Sequence, residues 1–157
     1  MTALSEDDII RLVGGMPSVA VVTASEAGGA PEAAWGDSFF FYDPDGDPED
    51  RRMPFATIVT SNYDGFDTAA DLGRPGVFRL NVAVGRARFE ELVGYPPSGH
   101  AERSAGHDYA AVDQLLPHPV YGARAWVSIV NPGERTGAQA RTLLAEAHAR
   151  AVGRHRR

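Results

Sequence analysis

Residues 74–94, RPGVFRLNVAVGRARFEELVG, constrain the fold more than any other stretch of the chain. From 77 to 84 the residues alternate. Phe78, Leu80, Val82 and Val84 share one face, and Val77, Arg79, Asn81 and Ala83 share the other. Alternation at period two marks a strand with one face in the core. Gly85 ends that strand, and Phe89, Leu92 and Val93 then recur at helical spacing beside Glu90 and Glu91, so an amphipathic helix follows. The second strand face is the informative one, because it carries Arg79 and Asn81.

Around this unit the chain predicts a short series of elements. Ser5-Glu6-Asp7-Asp8 has the form of a helix start, with Ser5 as N-cap, and Ile9, Ile10 and Val13 form its apolar stripe before Gly14-Gly15. SVAVVTAS predicts a strand of β-branched residues. Trp35-Gly36-Asp37 opens a second strand whose body, residues 39–42, is four aromatics in a row, as in a strand that is central or covered twice. DPDGDPEDRR is a polar turn, and MPFATIVTSNY is a third strand. Residues 64–73 read as a loop or one helical turn with Phe66 or Leu72 tucked inward, and 95–106 as a mobile surface loop. Asp108 is placed to cap a short helix carrying Tyr109, Val112, Leu115 and Leu116, ended by Pro117-His118-Pro119. Residues 120–130 predict the last strand, with Tyr121 and Trp126. Thr136-x-x-Gln139 is a capping box for a closing helix that buries Ala140, Leu143, Leu144, Ala147 and Ala151. The end of the chain, with Arg150, Arg154, His155, Arg156 and Arg157, is expected to fray from about residue 153. The order implies one α+β domain over 1–157, with a mostly antiparallel sheet and helices packed on one face.

Composition removes several function classes. Every basic side chain is arginine, so Schiff-base chemistry and a P-loop phosphate lysine are excluded. A formal net charge of −6 opposes general nucleic-acid binding, whose affinity rests on phosphate neutralisation. With no cysteine there is no disulfide, thiol nucleophile or thiolate metal site. There is no apolar run of membrane-spanning length, and MTALSEDDII lacks a basic n-region, so a cytoplasmic chain without a membrane partner is expected. No motif calls for a cofactor or a metal. A small-molecule ligand or a protein partner is the expected partner, with the chain a monomer or homodimer.

The order of elements resembles that of the MmcQ/YjbR-like proteins, which share the frataxin-type (CyaY-like) sandwich. The likeness rests on the Trp-Gly/aromatic strand, FRLNVAVGRARFEELVG and PHPVYGARAWVSIVNP, and on the amphipathic last helix. Leu80-Asn81-Val82 stands where that family reads "lnlkc", and Tyr121 with Trp126 where it reads "p.y....W..v.l". GVFRLN, LLPHPVY and WV followed by NP also resemble strings of an uncharacterised bacterial domain family. The resemblance covers residues 4–152 and implies the sandwich fold. For some relatives it implies DNA binding or a place beside biosynthetic clusters. The middle strand lacks the family's lysine, and only Glu6, Asp7 and Asp8 stand where frataxin-type iron binding needs an acidic ridge. Neither property is carried over.

Three constellations bear on chemistry. His107-Asp108 and His118 flank the expected short helix and, with Asp37 or Asp43, have the side chains of an acid/base pair or a divalent-metal site. Their spacing matches no metal signature, and a structural reading, with Asp108 as a cap, stands beside the catalytic one. Asp43, Asp45 and Asp47 imitate a calcium loop, but Gly46 is misplaced and the twelfth-position glutamate is missing, so the segment reads as a solvated turn. Arg79 and Asn81, with Trp35, Tyr42, Tyr121 and Trp126 as neighbours, have the make-up of a pocket for a planar or anionic ligand. A buried ion pair among core aromatics is the competing reading. The favoured function is non-catalytic binding on the open sheet face near Arg79, Asn81, Trp35, Tyr121, Trp126 and His118. An enzyme of specialised metabolism using His107, His118 and Asp37 is the alternative, and DNA binding is the least supported.

Overall fold

A computed structural model describes residues 3–50 and 53–155. Arg51 and Arg52 of the polar turn, and Arg156 and Arg157 of the basic tail, lie outside the described residues.

Helix α1 (Glu6–Gly14) starts at a reciprocal cap: the Ser5 hydroxyl accepts from the Asp8 N–H, and the Asp8 carboxylate accepts from the Ser5 N–H. Strands β1 (Val19–Thr23), β2 (Ser38–Tyr42), β3 (Ala56–Val59) and β4 (Arg79–Ala83) follow, then α2 (Arg86–Val93) and the single turn α3 (His100–Arg103). Strands β5 (Leu115–Pro117) and β6 (Trp126–Val130) and the long α4 (Gly137–His155) complete the chain. The six strands form one sheet in the order β1-β2-β3-β4-β6-β5, with every strand pair antiparallel. The α+β domain read from the sequence is the observed one. Among the described residues no helix is long and apolar enough to cross a membrane.

The register explains the core. Leu80 lies opposite Ile58 and Ile129, and Val82 opposite Ala56 and Val127, so one face of the sheet is apolar across its middle strands. Ile9 and Val13 of α1, Phe89 of α2 and Leu143 and Leu144 of α4 pack on that face, all of them fully buried. Each such side chain contributes about 1.5–3 kcal/mol of transfer free energy. Gly85, at φ +87°, makes the turn from β4 into α2; a Cβ there would meet the Arg150 guanidinium at 2.6 Å, so its bareness lets α4 lay that side chain across the strand end.

Three expectations are corrected. Residues 95–106 are not a loose surface loop but a string of helical turns, with Tyr95 and His100 buried. Tyr95 explains this. His100 Nε2 contacts the Pro119 carbonyl (3.3 Å) and so carries the proton, which leaves Nδ1 to accept from the Tyr95 hydroxyl (3.2 Å). Tyr95 Oη accepts in turn from His107 Nε2 (2.9 Å), so one hydrogen-bond chain staples the segment. The short helix after Asp108 is absent. Leu115 and Leu116 lie in β5, an edge strand short enough to end in a proline, whose missing N–H is harmless at an edge. The last strand starts at Trp126 and not at 120, because a 3₁₀ turn, Tyr121–Arg124, precedes it.

The start of α4 also differs in detail. The Thr136 hydroxyl donates to Asp113 (2.6 Å) instead of closing a capping box, and the same carboxylate accepts the N–H groups of Gly133, Arg135 and Thr136. At the other end the helix continues through His155, past the point where fraying was expected.

Candidate functional site

The second face of β4 points away from the helices, and its residues build the site. Arg79 lies opposite Val59 and Val130, and Asn81 opposite Thr57 and Ser128. At one end the face is covered by the chain from β3 to β4, where Val59, Ala70, Leu72 and Val130 form a second apolar cluster. Of the two inward candidates Leu72 is the buried one; Phe66 is exposed. Within this crossover the turn at Gly65 (φ +74°) folds residue 67 back onto 63, each bonding the other's backbone (2.8 and 2.9 Å).

That fold-back sets Asp67 over Arg79. Arg79 is 1 % exposed and is the largest fully buried side chain. Its Nη1 and Nη2 donate to the two Asp67 oxygens (3.0 and 2.5 Å), and its Nε donates to Asn81 Oδ1 (2.8 Å). Asn81 passes the network on to Thr57 Oγ1 (3.0 Å). Burial pushes the Asp67 carboxyl upward, but the hydrogen bonds and charge of Arg79 outweigh it and hold the group below the ordinary carboxylate range. No local pattern in the sequence marks Asp67. The available signal was Arg79 itself, since a guanidinium on a covered strand face requires a carboxylate partner.

Beyond this pair the face opens into a groove of about 740 Å³. Phe39, Thr57, Asn81, Arg79 and Trp126 line it from the sheet, and Phe66, His118, Tyr121 and Arg124 from one side. Arg150, Ala151 and Arg154 of α4 close its far end. Burial, and then the neighbouring Arg154 charge, lower the Arg150 pKa. Asp67 is the only carboxylate among the described lining residues, against four arginines. The groove is thus locally cationic in an acidic chain.

The structure brings Arg79, Asn81, Trp126, Tyr121 and His118 together at this groove. Trp35 is elsewhere: its indole donates to the Ala30 carbonyl (2.9 Å), and it does not line the groove. The proposed acid/base set does not assemble. Asp37 is fully buried, accepts from the Thr60 N–H and hydroxyl and the Tyr63 hydroxyl, and has its pKa raised because burial outweighs those bonds. His107 belongs to the Tyr95 chain, and burial with the nearby His100 lowers its pKa. His118 sits at the groove with its own partners. Asp43 accepts from the Asp47 N–H in the polar turn. Among the described residues no three His, Asp or Glu side chains gather as metal ligands would.

Fold and site define a class: a single α+β domain that packs its helices on one face of an antiparallel sheet and leaves an arginine-floored groove on the other. The fold is similar to that in the crystal structure of Deinococcus radiodurans protein DR2400, a DUF419 domain, with a TM-score of 0.52 and 15 % identity over 94 % of this chain and 78 % of that one. No curated protein matches the chain. Residues 2–157 match the model of DUF6194, a family of unknown function, and the chain belongs to that family.

Proposed function

We propose that this protein binds a small anionic molecule with an aromatic or apolar body in the groove on the open face of its sheet, and that it does so without catalysis. The observation that carries the reading is the charge pattern: among the described residues, four arginines and one carboxylate line a groove of about 740 Å³ in a chain of net charge −6. That volume is in the range of small-molecule sites. Phe39, Phe66, Tyr121 and Trp126 supply apolar and π surface, and Arg124 and Arg150 supply charge at the rim. The acid/base alternative has no comparable support, because His107, His118 and Asp37 are each engaged in a separate hydrogen-bond set. A cytoplasmic location and kinship with the MmcQ/YjbR-like proteins belong to the same proposal, the latter on the order of elements.

The test is a thermal-shift and calorimetric screen of the full chain against metabolites grouped by charge and aromaticity. A ligand at a hundred times its Kd stabilises by about 2.7 kcal/mol, or about 5–10 °C for a chain of this size. Anions with aromatic bodies are expected to give such shifts, and Arg124→Glu and Arg150→Glu to reduce them. Shifts from cations alone, or from no compound, defeat the reading.

A further inference from the structure

His118 is 3 % exposed and has a revealing pair of neighbours. Its Nδ1 accepts from the backbone N–H groups of Val120 (3.0 Å) and Tyr121 (2.9 Å). A ring nitrogen that accepts carries no proton, so in the neutral ring the single proton is on Nε2. The ring is neutral at ordinary pH, because burial and the Arg79 charge push its pKa down to about 3. Turning the ring over offers no escape, since it would set carbon atoms against both backbone donors.

Nε2 faces Arg79 Nη2 at 3.3 Å. A guanidinium has no acceptor atom, so this contact joins two donors, and among the described residues the His118 Nε2–H has no acceptor. Both groups line the groove. Two donors set against each other on the wall of a groove are rare in folded proteins, and an oxygen placed beside both would satisfy them. The balance of charge narrows the ligand. Asp67 already neutralises Arg79, and His118 contributes a dipole and no charge, so the floor offers hydrogen bonds to a singly charged oxygen group, while the further charge of the groove lies with Arg124, Arg150 and Arg154. The Tyr121 ring lies 4.9 Å from the His118 ring and 6.1 Å from that of Phe66, which places an aromatic wall beside the donors.

We infer that the groove floor seats an aryl carboxylate, one of whose oxygens accepts from Arg79 Nη2 and His118 Nε2 together. The inference rests on the groove reading above and specifies its ligand and contact. His118 is then a neutral donor and a specificity residue, while Arg79 serves the fold through Asp67 and the ligand through the Nη2 hydrogen that Asp67 does not take.

The experiment is ¹⁵N NMR on the full chain at pH 7, titrated with benzoate, phenylacetate, benzamide and inorganic phosphate. The His118 ring nitrogens report the seat and the Trp126 indole reports the groove. The free protein is expected to show the Nε2-protonated tautomer, and both reporters to move with the two carboxylates at least tenfold more tightly than with benzamide. In His118→Asn, the side-chain oxygen still accepts from Val120 and Tyr121 but no Nε2 donor remains, so carboxylate affinity should fall about tenfold. If that variant fails to fold, the wild-type tautomer and titrations decide alone. A free-state Nδ1-protonated ring overturns the inference. So does movement of Trp126 with His118 unmoved, an outcome that leaves the groove reading standing. Phosphate moving His118 more tightly than the carboxylates overturns the ligand class, and no movement at either reporter overturns both readings.

Discussion

Replacing Asp67 with asparagine tests whether the Arg79 pair is desolvated as its burial implies. The two residues are 1 % and 7 % exposed and share two hydrogen bonds of 3.0 and 2.5 Å. The amide keeps the shape and one acceptor but leaves the guanidinium charge unmatched in a buried place, a loss of about 3–5 kcal/mol. Set against a total of about 5–15 kcal/mol for a domain, that is a large fraction. It corresponds to a drop in urea midpoint of roughly 1.5–2.5 M at a slope of about 2 kcal/mol/M. Arg79→Met alone should also destabilise, since it strands the Asp67 carboxylate and the Asn81 oxygen. The double variant removes both charges, so its loss should be smaller than the sum of the single losses by about 2 kcal/mol or more. Urea unfolding of the four proteins at pH 7, followed by tryptophan fluorescence and circular dichroism, gives the cycle. A loss below about 1 kcal/mol for Asp67→Asn with no coupling would mean a hydrated, surface-like pair, and the account of the groove floor would fall with it.

Two further effects follow from the charges. His118 has its folded-state pKa at about 3, below its unfolded value, so the unfolded chain gains the proton first as pH falls. Its contribution is whole above about pH 6.5 and declines toward pH 3, reaching a loss of about 2 kcal/mol by pH 5. His118→Asn should shrink the difference in urea stability between pH 7.5 and pH 5 by that amount, and an unchanged difference would place a charged ring in the fold. Asp113, held down to about 2 because the Thr136 hydroxyl and three backbone N–H groups outweigh its desolvation, stabilises α4 above about pH 4 and loses that effect as pH falls toward 2. Asp113→Ala should cost about 1–2 kcal/mol at pH 7, as loss of a strong helix cap does, and faster amide exchange in the first turn of α4 is the measurement that checks it.

The parts of the fold legible in the sequence were those where a long period met a single environment. β4 showed itself because four apolar residues on one face, Phe78, Leu80, Val82 and Val84, all reach the core. α1 showed itself because its cap and acids are adjacent in sequence. β5 did not. Three residues are too few to display period two, and Val112, Leu115 and Leu116 fall by chance at helical spacing. What makes them extended is the pairing of Leu115 with Ile129 and of Pro117 with Val127, a contact with a strand that comes later in the chain. Residues 95–106 are illegible for a related reason. Proline, serine and glycine suggest mobility, whereas order comes from Tyr95 bonding two histidines, which no local pattern records.

The site divides along the same line. Arg79 and Asn81 could be picked out because they break an apolar pattern, and a polar residue in a covered position must be satisfied by something. Finding that something requires the topology. The carboxylate arrives on a crossover folded back at Gly65, and Arg150 and Arg154 arrive on the last helix of the chain. His107 and His118 looked like partners because they are near in sequence, yet the hydrogen bonds assign one to a staple and the other to the groove. Side-chain type marked where chemistry was available, but direction decided which of it was spent. Asp37, His100 and His107 direct their polar atoms into the protein's own framework. Arg79 and His118 spend most of theirs the same way, and what is left to them, Nη2 and Nε2 facing each other at 3.3 Å on the wall of the groove, is where the proposed ligand oxygen would bind.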